Sequence, residues 1–347
     1  MGYVCLISHQ GLIQKGGIHP VKAKSWFTHP IGIIVSSVAA TLLWGSAVPF
    51  VKLSYVELQI SKQDVFEQLI FAGYRFALAG LLLYLLLKLA SIGKSAGSQQ
   101  ASEFTGKLSV WRLSRLALVQ TFLQYLFFYI GLMHSSGIQG AIISGSASFF
   151  QMLFAQAMYR NEPFTSAKIT GLFLGFVGVF AVGFTQSGLH FQFGFGEICL
   201  LLSAAFGAFG NVLARHESGR VSVLELTAKQ MLIGGLGLAA IGVVRRGFMP
   251  FHFDMKTGVI FIYLAFVSAA AFGLWNMVMK YNKVGKVSMY LFLIPVFGVI
   301  LSSIILGETI HIWVVLALAS VVSGIIIVNR SHATTKAVRE SDLEIAQ

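Results

Sequence analysis

The residues able to do chemistry are few, and most stand where catalysis has no use for them. The nine histidines are His9, His19, His29, His134, His190, His216, His252, His311 and His332. All fall in tails, loops or the ends of apolar runs. No pair shares the middle of a run, which argues against a buried imidazole metal site or a histidine acid–base catalyst. The 13 acidic residues avoid the middles too. Glu197 and Glu225 come nearest, each a few residues into a run. A proton relay inside a membrane needs a carboxylate whose pKa can cross the working pH. Glu197 is the best placed for that, but a carboxylate on the first turn of a helix, favoured there by the dipole, explains it as well. No GxxxxGK[ST] loop is present to bind nucleotide phosphates. Cys5 and Cys199 are the two cysteines, too few for a disulfide framework and without a CxxC pair for zinc. No catalytic residue, metal or cofactor is assigned.

Arg75 is the sharpest charge. It lies in "FAGYRFALAG", about 12 Å along a helix that begins near residue 67. Its neighbours at four residues' distance are Phe71 and Ala79, so its own helix supplies no counter-charge. Exposure to lipid is costly, so the guanidinium must face the interior or snorkel. One reading is recognition of an anionic group such as a carboxylate. The other is a structural arginine bonding carbonyls of neighbouring helices. Lys229 weighs less, because Glu225 precedes it by four residues, a favourable helical ion pair. Amides and aromatics inside apolar runs complete the inventory. Buried amides must find hydrogen bonds, so they point inward or to water. Gln120 and Gln124 share a helix face, as do Tyr125 and Tyr129. The residues expected to contact a substrate are Arg75, Trp44, Tyr74, Gln124, Gln151, Asn211, Trp275 and Asn276. Trp and Tyr also form interface belts, which is the competing account of the aromatics.

The elements that carry these residues follow from hydropathy. Hydrophobic residues make up 56% of the 347, and charged residues 11%, too little polar surface for a soluble fold of this size. Ten apolar runs are long enough to cross a membrane, near 31–53, 67–88, 113–133, 139–159, 166–186, 194–214, 223–244, 257–279, 286–306 and 309–328. The longest connection, 89–112, is rich in Gly, Ser and Gln. With the amino terminus inside, 18 of the 25 Lys and Arg fall on the inner side and five on the outer, leaving Arg75 and Lys229 within runs. The net charge of +12 thus describes orientation in a membrane, with both termini cytoplasmic, rather than a nucleic-acid partner. Arg245 and Arg246 run against the rule. The first 30 residues show neither a signal peptide nor a myristoylation pattern.

Ten spans divide into five and five, and an odd number per half inverts the second half. An offset of 146 lays Glu162 over Glu308 and Gly178 over Gly324. The expected fold is therefore all-α: ten transmembrane helices as two inverted five-helix repeats around a central cavity. Residues 1–30 and 330–347 would be cytoplasmic tails, 31–186 the first repeat and 194–329 the second. Gly171, Gly175 and Gly178 form a smooth stripe, as do Ser144 with Ser148, and Ala317 with Ser320 and Gly324. Such stripes let helices approach closely. Pro49 and Pro295 interrupt their spans, and a bend that serves as a gate hinge or plain packing accounts for them equally well.

Trp44-Gly45-Ser46 with Pro49 and Lys52, Arg75 in the second span, and Glu162-Pro163 followed by Gly171 and Gly178 form an ordered set. The set resembles the EamA-type transporters of the drug/metabolite transporter superfamily. Glu308 with Gly324 stands as a degenerate second copy, in which Thr309 replaces the proline. The resemblance covers about residues 34–329. It implies a carrier of amino acids, other metabolites, amines or drugs, often outward, and no enzyme. The expectation is a secondary transporter, an exporter in the cytoplasmic membrane, working by alternating access. Its partners would be a small-molecule substrate and the lipid bilayer. The missing intramembrane carboxylate favours a facilitator or exchanger. The alternative is a channel or lipid-handling protein. The sequence fixes no oligomeric state.

Overall fold

A computed structural model describes residues 20–61, 63–92, 109–134, 143–159, 164–183, 194–219, 221–307 and 312–345. These residues contain helices and connections and no strand. Short α1 (Pro20–Thr28) precedes α2 (Pro30–Glu57) and α3 (Val65–Ile92). Then come α4 (Val110–His134), α5 (Ser146–Met158), α6 (Ser166–Gly183), α7 (Phe195–Glu217) and α8 (Val223–Arg246). The last are α9 (Met255–Tyr281), α10 (Val284–Leu306) and α11 (Ile312–Ile345). Seven of these, α2, α3, α4, α7, α8, α9 and α10, are long and apolar enough to cross a membrane. The runs expected at 139–159, 166–186 and 309–328 fall short of that measure among the described residues. There α5 has 13 residues, and the apolar parts of α6 and α11 are Ser166–Gly178 and Leu318–Arg330. Glu162, Pro163 and Glu308 lie outside the described residues.

The helix ends are built from local chemistry. Pro30 opens α2, where its missing N–H costs nothing, and His29 caps the helix through Nδ1 to the Ile31 N–H. Asp254 caps α9: it accepts from the Thr257 N–H at 2.7 Å, and Thr257 Oγ1 accepts from the Asp254 N–H at 2.9 Å. The Thr257 hydroxyl, which donates to the Asp254 carboxylate at 2.6 Å, together with the Thr257 N–H, holds that carboxyl below its ordinary pKa. Glu197 takes the Gly194 N–H at 2.7 Å, a helix-start role. Ion pairs gather at the two ends. At one end Glu57 meets Lys256, and Asp64 meets Arg246. At the other, buried Glu217 is shared by Arg115 at 3.0 Å and Arg112 at 3.6 Å. Arg246, anomalous by the charge rule, is thus matched by a carboxylate.

Two prolines act differently. The Pro49 ring leaves the Gly45 carbonyl without its helical donor, yet α2 continues as one helix. Gly45 is where α10 comes closest; a Cβ there would stand 2.6 Å from Phe297 Cβ and 3.0 Å from the Gly298 nitrogen. Pro295 clashes with the carbonyl four residues back, and the chain answers by narrowing to a 3₁₀ turn over Ser288–Phe292.

Lateral packing sets which helices meet. α3 runs along α8, α6 along α11, α2 against α9 and α10, and α7 against α4 and α5. Small residues make these approaches possible. On α3·α8, a Cβ on Gly73 would lie 2.4 Å from the Ala239 nitrogen, and one on Gly235 2.5 Å from the Ala77 nitrogen. On α6·α11, Gly171 meets Gly324 and Val328, and Ser320 Oγ donates to the Leu174 carbonyl at 2.8 Å. Gly175 admits the Phe292 ring. Gly171 of α6 therefore faces Gly324 of α11, while Gly175 faces α10. Gly178 is buried on α6.

Candidate functional site

One turn of α4 organises the interior. Leu118–Leu123 is a π-helical turn, wider by one residue than its neighbours. Within it the adjacent Gln120 and Thr121 reach two different helices. Gln120 Nε2 donates to Asn211 Oδ1 on α7 at 2.8 Å, and Thr121 Oγ1 donates to Gln230 Oε1 on α8 at 2.6 Å. Glycines make room for both: Gly210 lies against the Gln120 side chain and Gly234 against Thr121.

From Asn211 the polar chain continues. Asn211 Nδ2 donates to Gln151 Oε1 on α5 at 2.8 Å, and Gln151 Nε2 donates to Ser288 Oγ on α10 at 2.7 Å. Ser148 Oγ donates to the Ser288 carbonyl at 2.9 Å. On α8, one turn from Gln230, Thr227 Oγ1 accepts from Asn276 Nδ2 on α9 at 2.9 Å. This belt touches α4, α5, α7, α8, α9 and α10, and all its side chains are buried. It contains no charge. Three of its polar atoms, Gln120 Oε1, Gln230 Nε2 and Asn276 Oδ1, lack a hydrogen-bond partner.

A second buried group surrounds Arg75. The residue is 5% exposed, its guanidinium carbon stands 4.5 Å from the centre of the Phe76 ring, and its Nε has no hydrogen-bond partner. Tyr55 of α2 and Tyr125 of α4 are near enough to feel its charge. The Tyr55 hydroxyl faces that of Tyr129, without settling into a good hydrogen bond with any protein group. Aromatic contacts lead away from this group: Phe76 to Tyr125 at 4.2 Å, Phe76 to Phe272 at 6.4 Å, Phe272 to Trp44 at 5.1 Å, and Trp44 to Trp275 at 5.8 Å. Trp275 is fully buried and its Nε1 has no acceptor.

The structure thus joins Gln151 to Asn211 and Trp44 to Trp275, and sets Asn276 on the belt. Gln124 faces α7, with its side chain against Gly207, on the same side of α4 as Gln120. Tyr74 stands apart: its hydroxyl donates to the Phe248 carbonyl, in the connection between α8 and α9. Lys229 and Glu225 form the expected i,i+4 pair. Sequence reasoning missed Thr121, Thr227, Ser288 and Tyr55. Single hydroxyls in apolar runs carry little signal. It also missed the α3·α8 glycines, although Gly73 with Gly80 and Gly235 with Gly242 repeat the seven-residue spacing of Gly171 with Gly178.

Known proteins resemble this chain in sequence and fold. The model of the EamA-like transporter family matches residues 31–184 and again residues 194–330. A Bacillus subtilis protein named as the uncharacterized transporter YvbV is 28% identical over 279 residues, covering 78% of this chain and 85% of its own length. An uncharacterized transporter of Archaeoglobus fulgidus is 25% identical over 273 residues, covering 77% and 86%. A chloroplastic WAT1-related protein of Arabidopsis thaliana is 29% identical over 188 residues, covering 52% and 45%. One crystal structure has the same fold, with a TM-score of 0.69 at 17% identity, over 90% of this chain and 99% of that one. Apolar helices packed on glycine seams around buried, neutral polar groups, with the family pattern matched across nearly the whole helical region, make this chain a member of the EamA-like transporter family of multi-pass membrane proteins.

Proposed function

We propose that the protein is a secondary carrier that exports a small organic solute, a metabolite, amino acid or drug, across the cytoplasmic membrane. Transport would proceed by alternating exposure of a site between two inverted halves, each of five helices, with both termini inside. The observation that carries this reading is where the belt's hydrogen bonds run. Gln120–Asn211, Asn211–Gln151, Gln151–Ser288, Ser148–Ser288 and Thr121–Gln230 each join a residue before position 184 to one after 194. Neutral amides and hydroxyls can exchange such partners for water or solute without separating charge, as a seam that opens must.

The helix pairing supports the inverted halves. Number α2 to α11 as ten spans and advance each by five places. The contact of α2 with α9 becomes that of α7 with α4, and α2 with α10 becomes α7 with α5. The pairs α3·α8 and α6·α11 map onto themselves. The double family match points the same way. In this reading Arg75, Trp44, Gln124, Gln151, Asn211, Trp275 and Asn276 line the path and Tyr74 stands at its mouth. Pro49 and Pro295 are the bends about which the halves rock, and Gly171, Gly175, Gly178 and Gly324 are packing contacts.

Extracellular metabolites of overexpressing and deletion cells test the carrier. At least one solute should rise outside in proportion to expression; unchanged profiles would refute it. Reporter fusions near residues 189 and 219 should read outside and inside respectively, and the reverse would defeat the topology.

A further inference from the structure

We infer that the transported solute is a small organic monoanion, a carboxylate carried on a flat, apolar or aromatic body. The inference rests on the carrier reading above and narrows it. Arg75 is a nearly buried cation whose Nε has no acceptor, and among the described residues it forms no ion pair. A buried, unpaired charge is costly, and buried polar groups left without partners mark the place of something that supplies them. Among the described residues no carboxylate pairs with Arg75. The buried carboxylates among the described residues are Glu197 and Glu217, one bonded to a helix-start N–H and the other to Arg112 and Arg115.

The surroundings define the ligand further. A guanidinium presents a planar fork of donors that matches a carboxylate. Tyr55 and Tyr125 add hydroxyls within reach of its charge, and neutral hydroxyls bring no second positive charge. One positive charge balances one negative charge. A phosphate monoester, at about −1.5 to −2, would remain under-compensated. Beyond the guanidinium the rings of Phe76, Phe272 and Trp44 touch edge to face in a chain that ends at Trp275, whose buried indole N–H also lacks an acceptor. Rings of this kind favour an apolar or aromatic body next to the carboxylate. Cationic amines and cationic drugs meet the reverse: Arg75 repels them, and no described buried carboxylate is free to receive them.

The test compares the solutes exported by wild-type, Arg75→Lys and Arg75→Gln proteins, with membrane levels measured by immunoblot. Solutes that depend on the wild-type protein should carry a carboxylate. Arg75→Gln should lower their export about ten- to hundredfold at equal membrane level, and Arg75→Lys should retain part of it. Transported solutes without a carboxylate, or Arg75→Gln export equal to wild type, would overturn the inference while leaving the carrier intact. Absence of any protein-dependent solute would remove the carrier reading itself, and this inference with it. Should Arg75→Gln not reach the membrane, the wild-type protein still decides. An exported carboxylate should outcompete its own primary amide by at least about tenfold on the same grounds, and equal competition would overturn the assignment.

Discussion

The amide belt and the Arg75 group are both buried and polar, and they solve opposite problems. The belt is neutral, and most of its members answer one another: Asn211 alone receives from Gln120 and gives to Gln151. Arg75 carries a full charge, has an unpartnered Nε and is walled by rings and phenols. Mutual hydrogen bonds without charge make the first a fastener, even with Gln120 Oε1, Gln230 Nε2 and Asn276 Oδ1 unpartnered. A buried charge without a counter-ion among the described residues makes the second a receptor. Buried polarity alone therefore does not identify a binding residue; what matters is whether the protein has already supplied its partner.

Stability measurements can break that contrast. Asn211→Leu should cost most, because it orphans Gln120 Nε2 and Gln151 Oε1 together. A loss of about 1–4 kcal/mol is expected in unfolding of the detergent-solubilised protein. A loss near zero would mean the belt is held by packing alone. A double-mutant cycle on Gln151→Leu and Ser288→Ala should give a smaller coupling, roughly 0.6–1.7 kcal/mol. No coupling would show that the 2.7 Å contact contributes nothing across the seam. Arg75→Met should have the smallest effect and the opposite tendency. Without solute, its stability should equal or exceed that of wild type by up to about 1 kcal/mol, since an unpaired buried charge is removed. A clear loss would return Arg75 to the structural role that the sequence left open.

How far could this be read from residues alone? Hydropathy located α2, α3 and α7–α10 to within a few residues, because lipid demands long apolar helices. The Glu225–Lys229 pair and the α6 glycine stripe were legible because they depend on spacing along one helix. The belt was legible in part: Gln120, Gln151, Asn211, Gln230 and Asn276 stand out among apolar neighbours, but nothing in their spacing says which bonds which. Those pairings span 49 to 140 residues. Thr121 and Ser288 were invisible because hydroxyls in membrane helices usually bond their own backbone. The π turn in "LVQTFL" contains no glycine or proline to announce it.

That wide turn has a consequence for how the two regions are geared. Gln120 and Thr121 sit in it, while Tyr125 and Tyr129 follow on the same helix. A regular helix advances about 100° per residue. The turn therefore acts like the offset between two cams on one shaft, setting the angle between the belt contacts and the phenols near Arg75. Deleting one residue from Leu118–Leu123 would restore a regular thread and reset the angle between Gln120 and the two tyrosines. Fastener and receptor would each remain intact, but they would no longer be timed to one another.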